Sequence, residues 1–419
     1  MTTENTPAEQ AQSPAGRWVG GLWTTGEAAE NVPPAISAEQ ARTARAPANV
    51  GLKIPFRVEW SIYAGLVLIA LAMRLYDLGG RAVHHDESLH GYFAYQLFIG
   101  NGYDHNPLMH GMFQFYSIAT AFFLVGDSDF SLRLAMAVFG TGLVLVPLLL
   151  RPRIGQVGAL LAALMLAFSP SMLYFSRFAR NDIFMAVFAL ALVGVMWRYI
   201  DERKHRWLYI GAGLVAIGFT TKETMYIVVA LLMAYLGTQV WREIRDWLYA
   251  RRTLSEFSPT ASFLVLLGTI VLPLLAAGAA IFQSTLGVTL AAEDGLPGVP
   301  TGSPNGAGWP IAIGISAALL AASLLLGWYW KRRVFLGAWA IFTAVFIMLF
   351  ASFGSNPGGV GSGAWQSLGY WLAQQDVARG NQPWYYYFVG LSVYELLPLV
   401  FAILGAIFYL RKGDIFGLA

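Results

Sequence analysis

Two adjacent carboxylates and five of the chain's six histidines lie in one polar segment, residues 81–111. The segment reads RAVHHDESLHGYFAYQLFIGNGYDHNPLMHG and places Asp86 directly before Glu87. A carboxylate in such a segment can act as a general base that takes a proton from a hydroxyl or an amine. The alternative is that the pair caps the helix that begins near Ser88, since negative charge is favourable at a helix N-terminus. We expect a catalytic role for Asp86, and for Glu87 the two interpretations are evenly balanced.

Cations and a third carboxylate occur in two short polar sequences further along. YFSRFARND contains Arg177, Arg180 and Asp182, and TTKET contains Lys222. Arginine holds a phosphate as a planar fork and lysine holds it as a point charge. Together with a base, these residue types suit the attack of a hydroxyl or amine on an activated, anionic, lipid-linked substrate. Arg177 and Arg180 have the alternative of anchoring to lipid phosphates, and Asp182 that of capping a helix.

The histidines raise a second possibility, a divalent metal. His90 is four residues from Asp86 and three from Glu87, so either pair would share a helix face, and His85 is a further candidate ligand. The sequence HDESLH is not the H-E-x-x-H pattern of a zinc helix, however. Interfacial histidines that bond to backbone or water are more common. The sequence therefore predicts no certain cofactor and leaves a divalent metal at His85 and His90 as an open alternative.

The elements that must position these residues are membrane helices. Hydrophobic residues make up 57% of the 419 residues and charged residues only 12%, which is far more apolar than a soluble domain of this length requires. The basic residues lie in short clusters between apolar runs, so we expect a lipid bilayer and no nucleic acid as partner. With no cysteine in the chain, disulfides and thiolate metal sites are excluded.

The apolar runs predict an all-α, polytopic membrane domain over residues 53–419, preceded by a disordered cytoplasmic tail over residues 1–52. We predict about ten transmembrane helices. They are residues 60–78, 131–150, 155–173, 183–199, 207–219, 225–240, 261–282, 309–330, 334–353 and 386–410. In this topology most lysines and arginines fall on the side of Lys53 and Arg57. We therefore expect a plasma-membrane protein with its N-terminus in the cytoplasm and the polar segment outside.

Residues 112–125 are apolar but short for a full crossing. We interpret them, and residues 88–99 before them, as interfacial helices of a large first outer loop. A late outer stretch contains Trp384 and Tyr385, whose rings can stack on a sugar or a lipid head group, or form part of the aromatic belt at the membrane interface.

The order of these motifs resembles a known superfamily. HHDESLHGYFAYQLFIGNGYDHNPLMHG, SLRLAMAVFG, SRFARNDIF and GLVAIGFTTKE resemble, in that order, the GT-C superfamily of polyprenyl-phosphate-dependent glycosyltransferases. The nearest branch is that of protein O-mannosyltransferases and aminoarabinose transferases. The stretch WLAQQDVARGNQPWYYY also resembles a flippase-activity-associated subgroup from prokaryotic glycosylation clusters. The resemblance covers residues 60–410.

The resemblance implies roles for individual residues. Asp86 matches the catalytic aspartate of the first outer loop, with Glu87 as its neighbour, and Asp182 matches the second acidic position. Lys222 resembles the polar step after a glycine-containing helix, and a phosphate-binding role for Arg177 and Arg180 is a looser match. His110 follows Asn-Pro-Leu where relatives have a His-Pro-Pro-like element, which is on the acceptor side.

The implied function is transfer of a sugar from a polyprenyl-phosphate donor to a protein, lipid or glycan acceptor on the outer face. The alternative is a non-catalytic protein associated with flipping of lipid-linked sugars, or another accessory protein. A transporter would place ionisable residues near mid-membrane, often in repeated halves. Here the charges cluster at the outer rim, and this favours the transferase.

Overall fold

The computed structural model describes residues 53–293, 298–375 and 382–411, and the backbone of two short strands before them. The strands, β1 (Arg17–Val19) and β2 (Leu22–Thr24), form an antiparallel hairpin. They belong to a unit of their own, Met1–Gly51, and the rest of the chain forms a second unit. Because most of residues 1–52 lie outside the described ranges, the disordered tail stays a prediction.

The second unit is helical, which confirms the predicted all-α class. Its α-helices are α1 (Phe56–Leu75), α2 (His85–Phe98), α3 (Phe113–Val125), α4 (Asp129–Leu143), α5 (Arg151–Phe168), α6 (Pro170–Phe175), α7 (Asp182–Glu202), α8 (Arg206–Phe219), α9 (Thr224–Leu248), α10 (Pro259–Val271), α11 (Gln283–Leu286), α12 (Gly308–Phe350), α13 (Gly359–Gly361), α14 (Ser367–Ala373), α15 (Tyr386–Tyr394) and α16 (Leu396–Arg411). Shorter 3₁₀ segments are Pro107–Met109, Val146–Leu149, Leu254–Glu256, Leu272–Phe282 and Ser352–Gly354, and Ser362–Gln366 is a π-helix.

Six helical segments in the described part of the chain are long and apolar enough to cross a bilayer, by length and composition. They are Phe56–Leu75, Asp129–Leu149, Asp182–Glu202, Thr224–Leu248, Pro259–Leu286 and Gly308–Phe350. A seventh would be α15 and α16 together, which meet at an angle of 100°. A polytopic membrane protein is therefore confirmed, whereas the predicted count of ten is not.

The difference in count comes from short and broken helices. The predicted span 207–219 is the 14-residue helix α8, and the predicted span 155–173 is divided between α5 and α6, with a left-handed Gly155 (φ 75°) inside α5. The predicted spans 309–330 and 334–353 are the two halves of α12, which is interrupted at Lys331 (φ −149°, ψ 81°). A Cβ on Gly327 would overlap the ring of Phe335. Gly327 and Phe335 are eight residues apart, which in a straight helix would separate them by about 12 Å along the axis. Because they are in contact, α12 folds back at this break.

Close packing around α7 and α8 forms the centre of the unit. Leu192 and Ala212 are fully buried, and Gly211 faces the ring of Phe263. Small residues let membrane helices approach closely, which is how packing is achieved where lipid removes the hydrophobic driving force. The turn before α7 and the turn after α8 both present charged side chains.

Candidate functional site

Four charged side chains from three separate segments form a continuous row. Asp86, in the first turn of α2, has Oδ2 at 2.8 Å from Nη1 of Arg180, in the turn before α7. Nε of Arg180 lies 3.8 Å from Oδ2 of Asp182, the first residue of α7. Oδ1 of Asp182 accepts a 2.7 Å hydrogen bond from Nζ of Lys222, in the turn between α8 and α9. The formal charges of the row sum to zero, so a phosphate that enters it can compete with the carboxylates for the two cations.

The row is only partly shielded from solvent. The side chains of Asp86, Arg180 and Asp182 are each about one-third exposed, whereas that of Lys222 is 15% exposed. Partly buried charges are screened less than surface charges but remain reachable by a polar ligand. The structure therefore brings together four of the residues that the sequence singled out.

Glu87, next to Asp86, has a different environment, because it is fully buried. Its Oε1 accepts bonds from Nε of Arg133 (2.8 Å) and the amide of Ala179 (2.9 Å), and its Oε2 from Nη2 of Arg133 (2.8 Å), Nη2 of Arg81 (3.2 Å) and the amide of His84 (3.1 Å). Burial alone would raise the pKa of the Glu87 carboxyl. The bonds from Arg133 and the two amides outweigh it and lower the pKa to about 2.

The start of α2 explains why the two neighbouring carboxylates diverge. The helix begins at His85, three residues before the predicted start, and His84 is its N-cap. Nδ1 of His84 accepts from the amide of Asp86, while Glu87 returns a bond to the amide of His84, which completes a capping box. Consecutive residues on a helix point about 100° apart, so Glu87 faces the interior and Asp86 faces Arg180.

The turn that carries Arg177 and Arg180 is fixed by backbone contacts. The amide of Ala179 donates to Glu87, and its carbonyl accepts a 2.8 Å bond from the side chain of Gln114 in α3. Arg177 donates to the carbonyls of Met73 (2.9 Å) and Asp77 (3.3 Å) at the end of α1. In this structure Arg177 therefore joins the turn to α1, and its place in a phosphate site stays a prediction.

His110 contacts the turn between α8 and α9, which carries Lys222. Its Nδ1 lies 2.7 Å from Oε2 of Glu223, and its ring stacks on Trp371 at 5.9 Å with an interplanar angle of 6°. The adjacent Gly111 donates to the carbonyl of Thr221 (3.1 Å). Lys222 and Glu223 thus have separate partners, as expected for neighbours that do not share a helix face.

The two histidines proposed as metal ligands do not assemble a chelating group. His85 lies on the exposed first turn of α2. His90 is 5% exposed, stacks on Phe115, and bonds through Nδ1 to the carbonyl of Asp86 at 2.7 Å. Burial lowers the pKa of the His90 ring to about 4, which keeps it neutral at pH 7. Among the described residues, no group of three or more His, Cys, Asp or Glu side chains is placed to hold a metal ion.

Trp384 and Tyr385 lie at the start of the last helical pair, where their side chains are 83% and 49% exposed. Trp384 contacts Tyr385 and Phe388 edge to face. The ring contacts found for Trp384 in the described part of the chain are with its own segment, and stacking on a substrate stays a prediction.

Sequence reasoning missed two residues that organise the site. Arg133 is a fully buried arginine within the apolar helix α4, and Glu223 is the carboxylate partner of His110. For Arg133 the signal was a cation inside the run SLRLAMAVFG, since an ionisable group in an apolar helix requires a partner. For Glu223 the signal was its position beside Lys222.

Comparison with known families gives one match by sequence. The family model described as "Dolichyl-phosphate-mannose-protein mannosyltransferase" matches residues 109–263, a little over a third of the chain. The matched segment includes His110, Arg177, Arg180, Asp182 and Lys222 and begins after Asp86. Among curated proteins, none matches the chain significantly.

Solved structures of an oligosaccharyltransferase from Archaeoglobus fulgidus are similar to this chain over most of its length. The apo form is 13% identical, with a TM-score of 0.49 over 86% of this chain and 46% of that one. The enzyme, AglB, in complex with an inhibitory peptide and a dolichol-phosphate is 14% identical, with a TM-score of 0.48 and the same coverage. A complex with Zn and sulfate is 13% identical, with a TM-score of 0.45 over 85% of this chain and 44% of that one. The present chain thus spans about half the length of these structures.

Proposed function

We propose that this chain is a membrane glycosyltransferase of the GT-C superfamily, and that it transfers a sugar from a polyprenyl-phosphate donor to an acceptor on the outer face of the membrane. The observation that carries the proposal is the row Asp86, Arg180, Asp182 and Lys222, which combines a base and two cations from three segments. Preorganised cations that stabilise a departing phosphate are usually a large part of the catalysis in such a reaction.

In the proposed reaction the donor phosphate binds to Arg180 and Lys222. By pairing with Arg180, the phosphate withdraws that cation from Asp86 and frees the carboxylate. The acceptor O–H or N–H gives its proton to Asp86 while the acceptor atom forms a bond to the anomeric carbon of the sugar. The bond between that carbon and the phosphate oxygen breaks, and the electron pair leaves with the polyprenyl phosphate, whose charge Arg180 and Lys222 stabilise.

Asp182 has a supporting role in this proposal. It lies between the two cations, 2.7 Å from Lys222 and 3.8 Å from Arg180, and keeps both side chains directed at one place. Glu87 is a positioning residue, because both of its oxygens are occupied by Arg133 and backbone amides. Its bonds to α4 and to the turn before α7 fix the distance between Asp86 and Arg180.

An apolar groove next to the row suits the polyprenyl chain. It has a volume of about 310 Å³ and is lined by residues of α3, α8 and the second half of α12, including Phe113, Tyr116, Ile217 and Leu349. The amide of Phe113 donates to the carbonyl of Thr220, two residues before Lys222. The groove therefore begins close to the cation that would hold the phosphate, which is the arrangement that a lipid phosphate requires.

No step of the proposed reaction passes through a metal. Nδ1 of His90 bonds to the carbonyl of Asp86, and the oxygens of Glu87 accept bonds from Arg133 and backbone amides. Of the other candidate ligands in α2, Asp86 pairs with Arg180 and His85 lies exposed on the first turn. Among the described residues, these side chains do not form a group of three or more that could hold a metal ion.

A direct test combines donor binding with transfer. The purified chain in lipid nanodiscs is incubated with a panel of labelled polyprenyl-phosphate sugars and with peptide, lipid and glycan acceptors. Labelled product, lost in Lys222→Met, supports the proposal. Donor binding without transfer to any acceptor would favour the non-catalytic accessory role instead, and absence of both binding and transfer would overturn the proposal.

A further inference from the structure

A cavity whose lining includes none of the four residues of the charged row is formed in part by the residues just before His110. Its volume is about 780 Å³, within the range of roughly 300–1,000 Å³ typical of small-molecule sites. One wall is formed by residues 104–108 of the polar segment, and the other by residues 356–374, with Pro300 and Thr301 at the edge. A hydrogen bond of 2.8 Å between His105 Nδ1 and Ser362 Oγ holds the two walls together across 257 residues of sequence.

The chemistry of the lining is polar and nearly uncharged. The lining includes four side-chain amides, from Asn106, Asn356, Gln366 and Gln374. It also includes the hydroxyl groups of Ser362, Thr301 and Tyr370, and a single carboxylate, that of Asp104. No lysine or arginine is present among the described residues of the lining. A phosphate or another anion would therefore find no counter-charge there, and the lipid phosphate belongs to the charged row instead.

Amide and hydroxyl groups both donate and accept hydrogen bonds. A ligand whose own groups also do both, spaced along a short chain or ring, matches such a lining; a polyhydroxylated ligand has this property. One common mode of peptide recognition pairs the peptide backbone with an exposed strand edge. Here the described part of the wall at residues 359–373 is helical, so its backbone groups are largely used internally.

The cavity communicates with the charged row through a short stretch of chain. Pro107 lines the cavity, and its carbonyl accepts a 3.2 Å bond from the amide of His110. His110 is bonded to Glu223, the neighbour of Lys222. The Pro107–His110 and His110–Glu223 bonds therefore connect the lining of the cavity to the segment that carries Lys222.

We infer that this cavity binds a neutral saccharide, and that the saccharide is the acceptor of the transfer reaction. The ligand class follows from the lining, whereas its identification as the acceptor rests on the function proposed above. A glycan acceptor would extend from the cavity past His110, so that one hydroxyl reaches Asp86.

The test measures binding of maltotriose, mannotriose and cellotriose to the nanodisc-embedded chain by saturation-transfer-difference NMR, without donor. Gln366 is the best position to change, since its side-chain amide has no hydrogen-bond partner among the described residues. We expect Gln366→Leu to weaken binding about threefold to tenfold, the effect of one or two neutral hydrogen bonds, and Gln366→Trp to weaken it further, because the larger ring narrows the cavity as well as removing the amide. Gln239→Leu, at an exposed amide of α9, is the matched control and should bind normally.

The outcomes separate this inference from the proposed function. Lys222→Met is expected to lose polyprenyl phosphate binding and to keep trisaccharide binding. If this variant keeps both, the result counts against the proposed function and leaves the inference about the cavity standing. The inference is overturned if no trisaccharide binds to the wild-type chain, or if both Gln366 variants bind as the wild type does. It is also overturned if a capped, uncharged Ser/Thr-rich hexapeptide binds instead and the Gln366 variants weaken that binding.

Discussion

Replacement of Asp86 by asparagine should separate catalysis from donor binding. The substitution keeps the size of the side chain and removes its charge. If Asp86 is the base, we expect the rate of transfer to fall by about 10² to 10⁴, the usual contribution of a positioned general base. The structure predicts that the affinity for the donor does not fall with the rate, because Asp86, 2.8 Å from Arg180, competes with the phosphate for that cation.

The size of the effect on binding follows from the exposure of the pair. Both side chains are about one-third exposed, so their ion pair contributes at most about 1 kcal/mol after screening by solvent. Loss of that competition would tighten donor binding by no more than about fivefold. The expected signature is thus a large fall in the rate of transfer, with donor affinity unchanged or slightly higher.

Two measurements on the same sample decide the matter. Labelled polyprenyl-phosphate sugar gives the dissociation constant under conditions without acceptor, and single-turnover transfer gives the rate. Asp127→Asn, at an exposed carboxylate of the turn between α3 and α4, serves as control and should change neither quantity. Full turnover by Asp86→Asn would refute the assignment of the base. A tenfold loss of donor affinity would show that Asp86 holds the row together instead of competing within it.

Three further predictions concern the residues around Asp86. Lys222→Met should weaken donor binding by about tenfold to a hundredfold, the loss of a charge-assisted bond, as measured by the same labelled donor. Glu87→Gln should destabilise the folded chain by about 3–5 kcal/mol, seen as a lower thermal midpoint in detergent. Because the pKa of Glu87 is lowered from 4.5 to about 2, its charged form contributes stability that is complete above about pH 5 and is lost as the pH falls towards 2. The wild-type midpoint should therefore fall with acidification more steeply than that of the glutamine variant, and equal slopes would contradict this. Gly111→Ala should reduce transfer, since its Cβ would overlap the Thr220 carbonyl, whereas Gly237→Ala, where nothing lies within 4 Å, should not.

Much of the fold could be predicted from the sequence because the signal is local. Apolar runs of about 20 residues identify the long spans directly, and the predicted and observed limits of α7 agree closely, 183–199 against Asp182–Glu202. The breaks could not be predicted in the same way. The left-handed Gly155 and the reversal at Lys331 depend on how neighbouring helices pack, and the sequence contains no proline near Lys331 to mark a kink.

The candidate site could be predicted as a list of residues, not as a set of pairs. Polar residues in an apolar chain are conspicuous one by one, which identified Asp86, Asp182 and Lys222. Which carboxylate meets which cation depends on segments 40 or more residues apart, such as Asp182 with Lys222. Pairing at that range is set by helix packing, and no pattern in a single sequence encodes it.

The contrast between Asp86 and Glu87 shows how a membrane protein can hold a reactive group at a polar surface. One helical step places Glu87 inside, where Arg133 and the amide of Ala179 fix it, and Asp86 outside, at the charged row. The buried residue therefore determines where the exposed one lies, because α2 cannot rotate without breaking the Glu87 bonds. It also fixes the partner of Asp86, since Ala179 is the residue next to Arg180. The proposed base, Asp86, and the cation it pairs with, Arg180, are held at one distance by a single buried carboxylate, and this links the stability of the fold directly to the geometry of the proposed reaction.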